Sequence, residues 1–167
     1  LDRDALAKFR ARALSPNHPV SRGSAQNEDV YFQTKEVSNK YYLAVPEIVE
    51  DYMKEISKVT GREYHLFDYY GDKEATDIII AMGSVSECIK EVIDYKMKNE
   101  NKKVGLINVH LYRPFSVEHF LKALPKTVKR IAVLDRTKEA GALGEPLYED
   151  IRNVFYGKEN APIIIGG

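Results

Sequence analysis

The chain has 167 residues, 25 lysines and arginines against 25 aspartates and glutamates, and 44% hydrophobic residues. These values fit one compact domain with an ordinary core, and the zero net charge argues against a nucleic-acid-binding protein. A single cysteine, Cys88, excludes an intrachain disulfide and favours a reducing compartment. No apolar run approaches the roughly 18 residues of a membrane span, so we expect neither a span nor a secretion signal.

The first 39 residues predict a short helix followed by a long connector. Residues 1–14 mix apolar and charged side chains in a way that suits a helix. Residues 15–39 begin with serine, proline, asparagine and glycine and show no clear apolar period. Compact domains seldom keep a loop of ~25 residues without a role. We therefore predict that this connector is an arm lying across a neighbouring domain. The start at Leu1 and the apolar run that ends on Gly166-Gly167 favour a piece of a longer protein.

A second helix and a first strand follow the arm. Apolar residues from Val45 to Val59 recur at offsets of three and four, which predicts a helix with one apolar face. Pro46 suits the first turn of that helix, and Gly61 is a natural stop. Residues 64–70 then read as a strand rich in tyrosine and phenylalanine.

From residue 78 onward, strands and helices alternate. Apolar runs at 78–82, 104–109, 131–134 and 162–165 predict strands. Ser84 with Glu87 resembles a capping box, Ser116 is a second cap, and Pro146 opens the last helix. The third helix would bury Val85, Ile89, Val92 and Ile93, with Cys88 beside them as a small apolar side chain. Such alternation is typical of a parallel sheet that is covered on both faces.

One strand departs from the parallel pattern. Only about six residues separate the strand at 64–70 from the next, whereas a parallel crossover needs a dozen or more. We therefore predict that the 64–70 strand is antiparallel and lies at an edge. The predicted fold is α/β, a three-layer αβα arrangement around a five-stranded, mixed, mostly parallel sheet.

Three loops at the carboxyl edge of this sheet are candidates for function, because ligands bind there in open α/β folds. Gly83-Ser84 lies at a helix N-terminus that suits an anion, but a plain capped turn is the simpler interpretation. Arg113, in the loop 110–116, suits an ion pair within the domain or with a neighbour. The charged run 135–139, followed by small residues to Gly144, suits a contact site and a solvated loop equally well. Neither Cys88 nor the four histidines show a catalytic or metal-ligand pattern.

The sequence also resembles a known family. The resemblance rests on 22–27 (Arg-Gly-Ser-Ala-Gln-Asn), 29–33 (Asp-Val-Tyr-Phe-Gln), 44–46 (Ala-Val-Pro), 111–116 (Leu-Tyr-Arg-Pro-Phe-Ser), and 135–139 (Asp-Arg-Thr-Lys-Glu) with 141–146. These segments resemble pyruvate:ferredoxin (flavodoxin) oxidoreductase, and the likeness runs over essentially the whole chain. It implies that residues 40–167 are the second domain, similar to the C-terminal domain of transketolase, and that residues 1–39 are an N-terminal arm or linker from the preceding domain.

The resemblance implies a large, oxygen-sensitive, cytoplasmic parent enzyme. That parent would be a homodimer that converts pyruvate and coenzyme A to acetyl-CoA and CO2 and passes electrons to ferredoxin or flavodoxin. Thiamine diphosphate with magnesium and [4Fe-4S] clusters would lie on other domains, so we expect no cofactor, metal or catalytic residue here. We expect contacts with other domains at Arg22, Gln26, Asn27, Arg113, Asp135, Arg136, Lys138 and Glu139.

Two alternatives stay open. The chain would also suit a domain that binds coenzyme A or another phosphate compound at Gly83-Ser84. It would equally suit the corresponding domain of another thiamine enzyme, such as a transketolase or a 2-oxoacid dehydrogenase β chain, although the arm from Arg22 to Gln33 argues against this.

Overall fold

The computed structural model describes residues 2–20, 23 and 25–166. Within them, five helices and five strands follow in the order α1 (Arg3–Ala11), α2 (Glu28–Thr60), β1 (Phe67–Gly71), β2 (Asp77–Ala81), α3 (Val85–Glu100), β3 (Val104–Val109), α4 (Val117–Ala123), β4 (Arg130–Val133), α5 (Pro146–Phe155) and β5 (Ile163–Gly166). The chain divides into two compact units, residues 1–39 and 40–167.

The first unit contains more helix than the sequence predicted. The Asp2 carboxylate caps α1 by accepting hydrogen bonds from the Asp4 and Ala5 N–H groups. The predicted connector over 15–39 is wrong from residue 28 onward, because α2 already begins at Glu28. No glycine or proline interrupts the chain between Glu28 and Pro46, so nothing in the backbone opposes a helix there.

Helix α2 packs with a different face from the predicted one. Pro46 and Glu50 are buried, and Val49 and Met53 are packed against the core. Most of the predicted apolar face, by contrast, is exposed, with Tyr52 at 69% and Val59 at 88%. Pro46 therefore lies inside the helix and not in its first turn, as the sequence had suggested. Gly61 ends the helix as predicted, with a positive φ of 70°.

The sheet has the predicted composition. Its strand order is β1-β3-β2-β4-β5. Strand β1 pairs antiparallel with β3 at one edge, and the other neighbouring pairs are parallel. The short connection between β1 and β2 leaves no room for a parallel crossover, which is why the antiparallel edge strand was predictable.

Two apolar layers enclose the sheet and give the three-layer fold. On one face, Phe120 of α4 and Leu147 and Ile151 of α5 pack on Ile80 and Val133. On the other face, α3 lies over β3 and β1 and contributes Ile89 and Ile93. Four phenylalanine rings, Phe67, Phe115, Phe120 and Phe155, meet edge to face or tilted on the first side.

The start of α3 differs from the predicted capping box. Ser84 is the residue before the helix, but its backbone is helical (φ −63°, ψ −23°) and its side chain makes no capping hydrogen bond. A serine usually caps from an extended backbone, and Ser84 lacks that geometry. Val85 and Val92 are exposed at 37% and 45%, so the buried stripe is narrower than predicted. Cys88 is also exposed and does not act as a core side chain.

Candidate functional site

The predicted contact residues after β4 turn partly inward, towards α5. Asp135 follows β4, and its two carboxylate oxygens accept hydrogen bonds from the N–H groups of Leu147 (2.9 Å) and Tyr148 (3.0 Å). These are unpaired donors of the first turn of α5, so Asp135 acts as a cap from twelve residues away. Asp135 therefore fixes the end of β4 to the start of α5.

A second anchor holds the same loop from the other end. Glu145 is buried, accepts a hydrogen bond from the Lys138 ammonium group, and accepts another from the Glu139 N–H group at 3.1 Å. These two hydrogen bonds hold the pKa of the Glu145 carboxyl below its ordinary value, the lysine contributing most. Hydrogen bonds from Lys138 and from the Glu139 N–H group to Glu145 therefore hold the loop 135–145 together from within.

Arg113 pairs with its own domain. Its Nη1 donates a hydrogen bond to Asp150 Oδ1 of α5 at 3.1 Å, and its Nη2 lies 3.0 Å from Asp150 Oδ2 in an ion pair. It also donates to the Tyr112 hydroxyl at 3.1 Å and stacks over the Tyr112 ring. Burial outweighs the nearby positive charge and raises the pKa of Tyr112. The predicted role in an ion pair is met within the domain, and a contact with a neighbour stays a prediction.

Arg136 joins this loop to the start of α3. Its guanidinium lies so close to Gly83 that a Cβ on that glycine would sit 2.7 Å from Arg136 Nη1. Gly83 also has a φ of +80°, which a glycine adopts without strain. Two of the three predicted loops therefore meet at the carboxyl edge, beside a helix N-terminus that has no side-chain cap.

The outer part of the loop faces solvent. Arg136 and Glu139 are exposed, and neither side chain takes part in an ion pair among the described residues. Leu143 is 96% exposed at the same tip. The site therefore has a base anchored by four hydrogen bonds and a tip that presents a cation, an anion and an aliphatic side chain, a combination that suits contact with another protein surface.

The predicted contact residues of the arm lie elsewhere. Gln26 and Asn27 are exposed just before α2, and the Asn27 carbonyl accepts the N–H groups of Val30 and Tyr31. Arg22 lies outside the described residues. A contact of these three residues with other domains stays a prediction.

Sequence reasoning missed the partners that organise the site. Glu145, Asp150 and Tyr112 were not singled out, although they bind Lys138 and Arg113. The one available signal was an acidic residue directly before Pro146, where a helix begins. Arg113 and Asp150 are 37 residues apart, and this spacing gives no indication that they pair.

Away from the loop 135–145, a polar cleft of about 1000 Å³ opens beside β1. Glu50 of α2 contacts His65 Nδ1 at 2.8 Å and accepts the Leu66 N–H at 3.2 Å. Asp68 accepts the His65 N–H at 3.0 Å and lies 3.1 Å from His110 Nε2. The acids of this cleft thus tie β1 to α2 and to the end of β3. Sequence analysis singled out neither acid.

The donor groups of the chain do not fit an iron–sulfur cluster, which needs several cysteine thiolates, because Cys88 is the only cysteine. Among residues 2–20, 23 and 25–166, no three histidine, cysteine, aspartate or glutamate side chains come together as a metal site. None of the five described helices has the apolar length needed to cross a membrane.

Comparisons with known proteins agree on one family. The profile of "Pyruvate:ferredoxin oxidoreductase core domain II" matches residues 75–166. The pyruvate-flavodoxin oxidoreductase of Enterobacter agglomerans is 60% identical over the whole chain, and the pyruvate:ferredoxin oxidoreductase of Moorella thermoacetica is 54% identical. The pyruvate dehydrogenase [NADP(+)] of Cryptosporidium parvum is 49% identical over 98% of the chain.

These relatives are much longer proteins. The chain spans 14% of the Enterobacter and Moorella proteins and 9% of the Cryptosporidium protein. The matched residues 75–166 begin just before β2 and include β2–β5, α3–α5 and the anchored loop. Four of the five strands, helices α3–α5 and the anchored loop therefore lie in the matched region, and the chain belongs to the family of pyruvate:ferredoxin oxidoreductase core domain II.

Proposed function

We propose that this chain is a non-catalytic contact domain of a pyruvate:ferredoxin (flavodoxin) oxidoreductase. The observation that carries the proposal is the loop 135–145, whose base is fixed by Asp135 and Glu145 while Arg136, Glu139 and Leu143 are exposed. A preorganised loop with a mixed polar and apolar tip loses little conformational freedom on contact, which favours a docking role.

The reaction of the parent follows from the relatives' names and from the resemblance. The parent would split pyruvate with coenzyme A, release CO2 and reduce ferredoxin or flavodoxin in the cytoplasm. Thiamine diphosphate with magnesium, the [4Fe-4S] clusters and the coenzyme A site would lie on its other domains, and the parent would be a homodimer. The short share of the relatives that this chain spans supports a division of labour between domains.

This domain is a poor candidate for choosing the electron acceptor. The three relatives carry flavodoxin, ferredoxin and NADP(+) in their names, yet they match the chain at 60%, 54% and 49% identity. We propose that acceptor choice belongs to another part of the parent protein.

Charge reversal at Arg136 in the full-length enzyme tests the proposal. Arg136→Glu should lower pyruvate oxidation or dimer assembly at least about fivefold, the size of a lost contact of about 1 kcal/mol. Its control is Lys126→Glu, an equally large charge change at an exposed lysine on the amino-terminal side of β4. Activity assays and sedimentation of both variants provide the readout.

Comparing Arg136→Glu with Lys126→Glu distinguishes a contact role of Arg136 from a role in the stability of the domain. Loss of activity or assembly with Arg136→Glu alone, at an unchanged melting temperature, supports the contact role. Unchanged turnover and assembly would refute it. A fall in the melting temperature would instead assign Arg136 to the stability of the domain.

The alternative, coenzyme A or phosphate at Gly83-Ser84, stays a prediction. Arg136 beside Gly83 would supply a cation there. Titration calorimetry of this chain with coenzyme A decides between the two ideas, because the contact proposal expects no saturable heat.

A further inference from the structure

The two faces of the sheet are covered unequally. Helices α4 and α5 pack over one face, from β1 at one edge to β5 at the other. On the opposite face, α3 lies over β3 and β1. An open groove therefore remains beside α3, along β2, β4 and β5.

The floor and wall of this groove are aliphatic. The floor is a cross-strand row in register, Ile79 beside Ala132 and Ala132 beside Ile165. Ile163 extends the floor, and Val92 of α3 forms the wall. Ile163 and Ile165 are 67% and 61% exposed, an unusual state for strand isoleucines.

The charged groups at the rim are already partnered. Arg130 pairs with Asp77, and Lys96 pairs with Glu100 at 3.2 Å. The Arg130 guanidinium holds the pKa of Asp77 below its ordinary value. The groove of about 340 Å³ therefore offers apolar surface, and each charged residue that lines it within the described part of the chain already has a partner.

The position of the groove also argues against a small-molecule site. Asp77, Val104, Arg130 and Ile163, which line it, are the first residues of their strands. Ligands in open α/β sheets bind at the opposite, carboxyl edge. A packing partner is the better match.

The dimensions fit one helix. Three strands spaced by about 4.8 Å present a strip about 10 Å wide, which is the diameter of an α-helix. A four-residue strand is about 13 Å long, equal to about nine helical residues. On the other face of β4 and β5, the ten-residue α5 fills the corresponding space.

We propose that this groove is filled by an amphipathic helix from another part of the parent polypeptide, a proposal that rests on the chain being a domain of a longer enzyme. Parallel strands are nearly always covered by helices on both faces. The area of a strip of roughly 10 by 13 Å is far smaller than the ~800 Å² that each partner buries in a stable interface between separate chains. A segment of the same polypeptide needs no such area, because its tether raises its local concentration.

Thiol labelling of the full-length enzyme tests this inference. In the Ile165→Cys variant the thiol should react with a maleimide at least tenfold more slowly in the native protein than in urea, read by mass spectrometry of its own peptide. The matched control is Tyr95→Cys on α3, which is 60% exposed against 61% for Ile165 and lies outside the groove. Protection at position 165 beyond that at position 95 supports a cover, and equal rates at both positions would overturn it.

A photo-crosslinker identifies the cover. Benzoylphenylalanine in place of Ile165 should crosslink to a peptide of the same polypeptide with apolar residues at helical spacing. Mixed light and heavy isotope copies distinguish an intrachain product from a product between two copies. A product between copies, or attachment to a small molecule only, would refute the helix. Pyruvate oxidation by the unsubstituted full-length enzyme keeps the two proposals separate. If that enzyme is active and the Ile165→Cys thiol reacts as fast as the Tyr95→Cys thiol, the covering helix alone is refuted. If the unsubstituted enzyme does not oxidise pyruvate, the proposed function of the parent is refuted.

Discussion

At the scale of single residues, Glu50 is the acid whose surroundings link the stability of the domain most directly to pH. It is nearly buried, and burial alone would raise its pKa, but hydrogen bonds from His65 and from the Leu66 N–H outweigh that effect and lower the pKa from 4.5. A carboxylate with a lowered folded-state pKa stabilises the fold above its unfolded pKa, and this stabilisation is lost as the pH falls through the folded value.

We therefore predict that stability declines below about pH 4.5 and that Glu50 contributes to the decline. Glu50→Gln should lower the free energy of unfolding at pH 7 and flatten its fall between pH 4.5 and pH 3, as measured by urea unfolding. Glu55→Gln is the control, because the Glu55 side chain is 67% exposed and its one ion-pair partner among the described residues is the exposed Lys58. Identical pH profiles for the wild type and Glu50→Gln would contradict the assignment.

Asp135 gives a second prediction at this scale. Because it caps α5 with both oxygens, Asp135→Ala should cost about 1–2 kcal/mol of stability. Glu139→Ala, in the same loop but with an exposed side chain, should change stability by less than about 0.5 kcal/mol. Equal losses in urea titrations of the two variants would show that the cap is not what holds the loop.

The charged run 135–139 was recognisable from sequence as unusual, but the role of its members was not. Asp135 and Lys138 bind groups on or beside α5, and Arg113 does the same from another loop. Such pairings depend on which loop ends meet in space. Sequence spacing indicated the loop, and only the fold assigned its inward and outward residues.

At the scale of elements, α2 shows where periodicity fails. Offsets of three and four predicted an apolar face, but Ile48, Tyr52 and Ile56 are exposed while Glu50 is buried through its bonds to His65 and Leu66. A hydrophobic stripe reports which face is apolar, not which neighbour covers it. A domain of a larger protein can therefore leave its most regular stripe uncovered.

The edge strand β1 depends on a glycine at its end. Gly71 has a φ of 129°, and a Cβ there would sit 2.5 Å from the Val104 carbonyl oxygen and 2.7 Å from Gly105 Cα. Both contacts are with backbone that cannot rotate away. Gly71→Ala should therefore destabilise the domain by at least about 2 kcal/mol, from strain and overpacking together.

Gly157→Ala is the control for Gly71→Ala. Gly157 also has a positive φ, 70°, but a Cβ there meets nothing within 4 Å. The cost should be about 1 kcal/mol, the usual penalty for a left-handed alanine. If thermal or urea unfolding showed the same loss of stability for Gly71→Ala and Gly157→Ala, the contact of a Cβ at position 71 with the β3 backbone would not contribute to that loss.

At the scale of the whole molecule, residue patterns alone predicted the mixed sheet and its antiparallel edge. The short link between β1 and β2 and the apolar runs of the four later strands were sufficient for that. They could not predict the family, which came from contiguous motifs such as 111–116 and 135–139. They also failed for residues 28–39, because a helix that continues beyond its domain has no capping signal at the domain boundary.

The exposed apolar side chains of α2 should make the isolated chain self-associate. Its formal charge is zero and its pI is about 7.1, so near neutral pH little repulsion opposes contact between exposed residues such as Tyr41, Ile48 and Tyr52. At pH 5.5, below this pI, the chain carries a net positive charge, and repulsion between like-charged copies opposes association. Sedimentation should therefore show stronger association at pH 7 than at pH 5.5.

A pair of variants separates charge from apolar contact in this association. Ile48→Lys with Tyr52→Lys should give a monomer at both pH values, because it removes two exposed apolar side chains of α2 and adds two charges. Thr60→Lys with Asn99→Lys adds the same charge at exposed polar positions and should reduce association much less. If the second pair disperses the chain as fully as the first, net charge alone controls association and the face of α2 is not a contact surface.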